Sequence, residues 1–197
     1  MATTSIFGKS RAGNVDTLRA IGADADFQVI GLELVPRPDG KDESVSSTSI
    51  RRALAGGEVR TAASLLGRFH EIRGAVVTGD QRGRTIGFPT ANIAVARTMA
   101  LPADAVYAAI YVHPDGTKTP AAVNIGKRPT FYQDAEHSLL EAHLIGFTGD
   151  LYGQKSRVQF VELLRSEKRF DGLDELKQQL QHDIQHASAV LAKLDLS

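Results

Sequence analysis

The stretch that decides the fold is DAVYAAIYVHPDGTKTPAAVNIG, residues 104–126. It holds two apolar segments rich in Val, Ile and Tyr, residues that favour β-strands. A Pro-Asp-Gly turn signal separates the two segments at residues 114–116. The stretch therefore predicts two antiparallel strands joined by a short turn.

Further strand candidates lie on both sides of this hairpin, with no helical pattern between them. Turn signals such as GDQRGR, GKRPTF and FTGDLYG separate them. Six short strands in succession predict an antiparallel barrel or sandwich. The additional candidates are HEIRGAVVTG, TANIAVA, SLLEAHLIGF and SRVQFVELL.

The end of the chain has the spacing of an amphipathic helix. Asp171 can cap this helix, and Asp174 and Glu175 suit its positive N-terminus. We expect its apolar stripe to pack across the strands. The stripe consists of Leu173, Leu176, Leu180, Ile184 and Leu191.

The first 66 residues follow a different pattern, which predicts a small α/β segment. VDTLRAIGA has helical spacing, and FQVIGLELV is a strand candidate. The hydroxyls of SSTS can cap a helix that Gly56-Gly57 interrupts, and a second short helix follows up to Leu66. We therefore predict two domains, residues 1–66 and 67–197.

Composition excludes several classes of protein. The chain has 23 basic and 23 acidic residues, which disfavours a general electrostatic grip on nucleic acid or on an anionic membrane. It has no cysteine, so disulfides and Cys-ligated zinc are excluded. The start, MATTSIFGKSRAGN, lacks the apolar core of a signal peptide. We expect a cytoplasmic protein.

One motif is more elaborate than a strand entry requires. TIGFPTANIAV, residues 85–95, places a proline, a threonine and an asparagine directly before an apolar run. Proline fixes its own φ angle, and Thr90 and Asn92 point to the same side of a strand. The motif suits a site for an ion or a phosphate, although a proline-led turn with Thr and Asn at a strand edge is the favoured explanation when the motif is taken alone.

Taken together, these blocks resemble a riboflavin kinase domain. The resemblance rests on GDQRGRTIGFPTAN, PADAVYAAIYV, AAVNIGKRPTF, LLEAHLIGFTGDLYG and VELLRSEKRFDGLDELKQQLQHDI, which occur in the family's order. It implies a mainly β fold, a closed six-stranded antiparallel barrel with a C-terminal helix. It also implies ATP-dependent phosphorylation of riboflavin to FMN, with Mg²⁺ as the metal.

The first part of the chain resembles the end of an FMN adenylyltransferase module. FGKSRAG and SSTSIRRALAGGEVRTAASLLGR carry this similarity, as in bacterial bifunctional FAD synthetases. The H-x-G-H motif of that nucleotidyltransferase is missing, since the first histidine is His70. We expect a truncated adenylyltransferase without activity, in which Ser47, Thr48 and Arg51 remain only as capping residues.

Loss of the nucleotide-binding half of the adenylyltransferase module should expose apolar helix faces around Ile50 and Leu54. Such a patch would favour self-association through the small α/β remnant.

The resemblance assigns the metal and the nucleotide to the motif before the second strand. Mg²⁺ takes one or two protein oxygens in addition to phosphate and water, and Thr90 and Asn92 would supply them. Pro89 would stiffen the approach. The GDQRGR loop would bind ATP through Gly79, Arg82, Gly83 and Arg84, although Gly-Arg loops are often only solvated turns.

The remaining implied residues concern the transfer step and the flavin. Glu141 matches the family's general base and Arg165 an arginine near the transferred phosphoryl group. Asn124, Arg128 and Phe170 would line the flavin site. Each role has a plainer alternative: Glu141 faces solvent, Arg165 forms a surface ion pair, and Phe170 packs before the helix.

Two other functions remain open at this stage. Loss of catalysis would leave a module that senses flavin or nucleotide. Small antiparallel barrels also bind oligonucleotides, but zero net charge and 6% aromatic residues disfavour that activity.

Overall fold

The computed structural model describes residues 6–127 and 138–194. Its residues form two compact units that divide between Val45 and Ser46. The helices are α1 (Val15–Asp24), α2 (Ser47–Ala55), α3 (Val59–Leu66), α4 (Arg82–Thr85) and α5 (Leu173–Leu191), and Lys9–Arg11 form a 3-10 turn. The strands are β1 (His70–Val77), β2 (Ala91–Val95), β3 (Ala105–Val112), β4 (Lys118–Lys127), β5 (Ser138–Leu144) and β6 (Lys155–Ser166). In the ranges described, no helix combines the length and the apolar character needed to cross a bilayer.

The six strands close into an antiparallel barrel, which confirms the predicted fold. The strand order is β1-β2-β5-β4-β3-β6, and β6 pairs with β1. The hairpin expected from residues 104–126 is β3 and β4, paired from Ala105 opposite Ile125 to Val112 opposite Lys118. Closure leaves every strand paired on both sides.

Alternation along the strands fills the barrel with apolar side chains. Residues at every second position point inward and are removed from water, which supplies most of the stabilisation of such a core. The largest of them are Ile72, Ile93, Tyr107, Tyr111, Val123, Ile125, Leu140 and Phe160.

Strand β3 is buried on both faces because α5 covers its outer side. Ala108, Ile110 and Val112 face away from the barrel interior and pack against Ala187 and Leu191 of the helix. This explains the continuous apolar run in β3. The predicted stripe of α5 therefore divides: its C-terminal part packs on the barrel, whereas Leu173 is 52% exposed.

Helices α2 and α3 belong to the unit that contains the barrel. Leu54, Val59 and Ala62 join the core cluster of the barrel interior, and Ile50 packs against it. The expectation that Leu54 would be exposed is wrong, since its side chain is 2% exposed. The Ala103 amide also donates to the Leu54 carbonyl at 2.9 Å. The barrel itself supplies the apolar surface that these helices cover.

The hydroxyl run before α2 acts as a cap. Ser46 is the N-cap, and it exchanges hydrogen bonds with Ser49 in a capping box. Arg51 donates to the Ser47 hydroxyl at 3.2 Å on the exposed side of the helix. The segment therefore caps α2, but through Ser46 and Ser49 and not through the expected Ser47, Thr48 and Arg51.

The predicted strand FQVIGLELV, residues 27–35, is not a strand in the structure. The predicted helix before it is present as α1, which Asn14 caps. A strand needs a neighbour for its backbone hydrogen bonds and for its apolar face. Among residues 6–45 there is no strand beside this segment, and Ile30 and Leu32 are 73% and 80% exposed.

Protonation of His70 is expected to destabilise the barrel. Its Nε2 donates to the Ala100 carbonyl at 2.8 Å, and its ring stacks on Phe160. Burial lowers the pKa of His70 below its ordinary value of 6.5. The folded state therefore binds this proton less readily than the unfolded chain, and stability falls as the pH drops through about 6.5. His70→Gln keeps an Nε2 donor without the titration, so its urea midpoint should fall less between pH 7.5 and 5.5; equal slopes for both proteins would contradict this.

Candidate active site

Strand pairing places polar side chains side by side around one level of the barrel. Asn92 of β2 lies opposite Glu141 of β5, and Glu141 lies opposite Asn124 of β4. The same level continues through Val106 of β3 to Arg165 of β6. A set of residues that is dispersed over 74 positions of sequence thus becomes a single row, which we call the register row.

The first members of the register row face outward. Each of Asn92, Glu141 and Asn124 stands between two residues whose side chains lie in the barrel core, and successive side chains of a strand point to opposite faces. Glu141 is therefore flanked on both sides by amide side chains, outside the apolar interior.

A cavity of about 590 Å³ opens over this row. Its volume is that of a typical small-molecule site. The walls come from the barrel, from the connection between β1 and β2, from the loop before α5, and from α5 itself. The lining residues that sequence analysis had singled out are Arg82, Gly83, Thr90, Asn124, Glu141, Arg165 and Phe170.

Four predicted site residues of the described segments do not line this cavity: Gly79, Arg84, Pro89 and Asn92. Arg84 is exposed. Gly79 lies against Asn92, so closely that a Cβ at Gly79 would collide with the Asn92 amide. Arg128 lies outside the described residues.

Asn92 is a buried polar residue whose side-chain oxygen lacks a hydrogen-bond partner in the described residues, as does the Tyr111 hydroxyl. The Asn92 side chain is 6% exposed. An orphaned buried carbonyl costs about 1–3 kcal/mol. Thr90, two residues earlier, lines the cavity. A hard cation such as Mg²⁺ binds neutral oxygens like the Thr90 hydroxyl and Asn92 Oδ1. These residues therefore fit the expected metal.

In the described parts of the chain, no three His, Asp or Glu side chains cluster in a way that could hold a metal ion.

The GDQRGR segment forms the rim of the cavity. Residues 82–85 make the short helix α4, which Gln81 enters with a positive φ of 55°. The Phe88 amide donates to the Gly83 carbonyl at 2.8 Å and closes the following turn. A Cβ at Gly83 would collide with the Phe88 carbonyl, so this turn requires glycine.

Arg165 is held by a buried carboxylate of α5. Its Nε and Nη2 atoms donate to both oxygens of Asp183, at 2.7–3.1 Å, and Asp183 is 4% exposed. Gln179 donates to the same carboxylate at 2.9 Å. The guanidinium is thus oriented and its charge is balanced, which makes it a directed donor more than a source of net positive charge.

The loop before α5 brings an aromatic ring and further charge to the cavity. The centroid of the Phe170 ring lies 5.8 Å from the guanidinium carbon of Arg165 and 5.4 Å from Nζ of Lys168. Lys168 also pairs with Glu175 at 2.7 Å, and this hydrogen bond lowers the pKa of Glu175.

Several cavity residues belong to no motif that the sequence shows. Asp183 lies on the apolar stripe of α5, seven residues after Leu176, and a charge within such a stripe is a signal of a buried partner. The other lining residues without a predicted site role are Ile86, Phe88, Val106, Ala122, Val123, Glu167, Lys168, Arg169, Leu176, Leu180 and Ile184; His143 shares the face of Glu141, as expected from their spacing.

The chain belongs to the riboflavin kinase family, whose model matches residues 66–191. This agrees with the barrel, with α5 and with the position of the cavity.

The chain is 35% identical over 189 residues to the bifunctional riboflavin kinase/FMN adenylyltransferase of Bacillus subtilis. It is 39% identical over 186 residues to the enzyme of the same name from Pseudomonas fluorescens. These matches cover 95% and 94% of this chain but 58% of each relative. The similarity therefore extends into residues before 66.

A crystal structure described as that of a macrolide-efflux protein from Streptococcus pneumoniae has the same fold. It superposes with a TM-score of 0.80 at 34% identity, covering 93% of this chain and 57% of that one.

Breaking the Arg165–Asp183 pair should destabilise the protein strongly. Asp183→Ala leaves a partly buried guanidinium without its carboxylate, and such losses cost roughly 3–5 kcal/mol in free energy of unfolding. The double variant Arg165→Met/Asp183→Leu removes both charges and should recover most of that loss. Urea unfolding measures both, and a double variant no more stable than Asp183→Ala would contradict the prediction.

Proposed function

We propose that this chain is a riboflavin kinase, which transfers the γ-phosphoryl group of ATP to the ribityl 5′-hydroxyl of riboflavin. One observation carries the proposal: in a barrel of this family, the register row sets Glu141 between Asn92 and Asn124 at a cavity large enough for a small molecule. Positioning and charge stabilisation are the main requirements of phosphoryl transfer.

Glu141 acts as the general base in this proposal. Its carboxylate accepts the proton of the 5′-hydroxyl, the freed oxygen bonds to the γ-phosphorus, and the bond to the β–γ bridging oxygen breaks to release ADP. Asn124, the flanking amide that lines the cavity, can orient a substrate oxygen without taking the proton. Orientation of the hydroxyl is the larger part of this task.

Thr90 and Asn92 would hold Mg²⁺, and the orphaned Oδ1 of Asn92 supports this assignment. When bound, Mg²⁺ neutralises charge on the ATP phosphates. Arg82 and Gly83 at the rim lie where the phosphate chain would enter. Arg165, fixed by Asp183, would direct its remaining N–H groups at the transferred group.

The apolar wall of the cavity suits the isoalloxazine ring. Leu176, Leu180 and Ile184 of α5 line it together with Phe88 and Phe170, and flat aromatic ligands gain most from such surroundings. Asn124 would donate to the polar edge of the flavin. The assignment of Arg128 to the flavin stays a prediction.

The partners of this activity would be small molecules in the cytoplasm: riboflavin, ATP, FMN and ADP.

Replacing the proposed base should abolish the reaction while the fold remains. Glu141→Gln keeps size and hydrogen bonding but cannot accept the proton, so FMN formation should fall by about 10²-fold or more. Chromatography of riboflavin, FMN and FAD after incubation with Mg²⁺ and ATP measures the product.

Glu162→Gln is the matched control, because Glu162 is a half-buried strand glutamate that pairs with Arg60 outside the cavity. Equal loss in both variants would contradict the role of Glu141. Flavin binding without any FMN from the unmodified protein would support a sensor instead.

If Asn92 is a metal ligand, replacing it with an apolar residue should keep or raise the stability of the protein and weaken Mg²⁺ binding. Asn92→Leu removes the orphaned carbonyl, so the free energy of unfolding without Mg²⁺ should be no lower and should rise by about 1 kcal/mol. The same variant should lose the extra thermal stabilisation that ADP gains from Mg²⁺. Thermal unfolding with ADP, with and without Mg²⁺, tests this, and an unchanged Mg²⁺ effect would exclude Asn92 as a ligand.

A further inference from the structure

His143 makes a specific contact with the turn that carries the proposed metal site. Its Nδ1 lies 2.8 Å from the carbonyl oxygen of Pro89. His143 follows Glu141 by two residues on β5, so both side chains are on the outer face, and both line the cavity.

The position of this contact follows from strand pairing. The β2–β5 ladder runs from Ile93 to Ala91, which lies opposite Ala142. The next residue, Thr90, would continue the same register opposite His143, but Pro89 beyond it has no N–H and cannot extend the ladder. The imidazole takes over at this point and ties the turn to β5.

The contact also fixes the protonation of the ring nitrogens. A backbone carbonyl can only accept, so Nδ1 must carry hydrogen, and a neutral His143 is the Nδ1–H tautomer. Phe88 packs edge-on against the ring, with centroids 6.1 Å apart, which limits its rotation.

We infer that His143 is a positioning residue that orients Thr90 toward the metal–nucleotide site by holding the Pro89 carbonyl, an inference that rests on the proposed function. The Pro89–Thr90 peptide is constrained on one side by the proline ring and on the other by this bond. Thr90 and Glu141 are thereby held at a fixed separation, because both depend on β5.

Two variants separate the hydrogen bond from the ring. Asn places its Nδ2 donor where His143 has Nδ1, so His143→Asn retains the bond to Pro89. Gln places its donor near the position of Nε2, so His143→Gln loses that bond while remaining polar. His113→Asn serves as the control for loss of a histidine contact elsewhere on the barrel, where His113 Nε2 bonds to the Thr119 hydroxyl at 2.8 Å.

Calorimetric titration with ADP, in Mg²⁺ or in excess EDTA, gives the direct readout. We expect His143→Gln to weaken MgADP binding about 10- to 100-fold, the range found for residues that orient metal ligands. His143→Asn should recover most of that loss, and ADP in EDTA should bind all variants alike. FMN formation by the same variants should follow MgADP affinity.

Other outcomes would overturn the inference. Equal binding by His143→Gln and the unmodified protein would show that the bond positions nothing, and equal losses for Asn and Gln would show that the ring itself is needed. A matching loss in His113→Asn would reduce the effect to stability. Failure of the unmodified protein to bind MgADP would also refute it.

The kinase proposal fails separately from this inference. If the unmodified protein makes no FMN but the Asn–Gln difference in MgADP affinity is present, the positioning role stands and the reaction does not.

Discussion

The register of the closed barrel is the constraint on which the site depends. Barrel closure requires each strand to keep a fixed offset from both neighbours, and that offset sets Asn92, Glu141 and Asn124 in one outward row. A slip of one residue on β5 would turn Glu141 into the apolar interior and bring Leu140 or Ala142 into the cavity. A shift in strand register would also expose core side chains to water. The alternation of apolar and polar residues along the strands therefore fixes the register, and with it the positions of the polar residues on the outer face.

Two walls of the cavity, α5 and the turn before β2, are attached to the barrel by side-chain bonds. On one side the Asp183 carboxylate joins α5 to β6 through Arg165; on the other, His143 joins the turn before β2 to β5. Both bonds act where the sheet itself cannot. Helix α5 cannot form a backbone ladder with strand β6, and Pro89 ends the backbone ladder between β2 and β5. The site thus combines a rigid floor with walls that are each attached at an identifiable atom.

Much of this arrangement could be predicted from sequence, and the remainder depended on long-range pairing. Alternating apolar runs and turn signals gave six strands, and the resemblance of TIGFPTANIAV and LLEAHLIGF pointed to Thr90, Asn92 and Glu141. The pairing of Arg165 with Asp183 could not be read from local patterns, since 18 residues and a loop separate them. The strand expected at residues 27–35 failed for the same reason, because apolar composition identifies a strand only where a neighbour is available.

The most direct test of the account is a crystal structure of the protein with riboflavin, Mg²⁺ and a non-hydrolysable ATP analogue. The account predicts Mg²⁺ within about 2.1 Å of Asn92 Oδ1 or the Thr90 hydroxyl, with the ribityl 5′-hydroxyl at hydrogen-bond distance from Glu141 and the flavin ring against α5. A nucleotide bound away from Thr90 and Asn92, or a ribityl hydroxyl out of reach of Glu141, would contradict it.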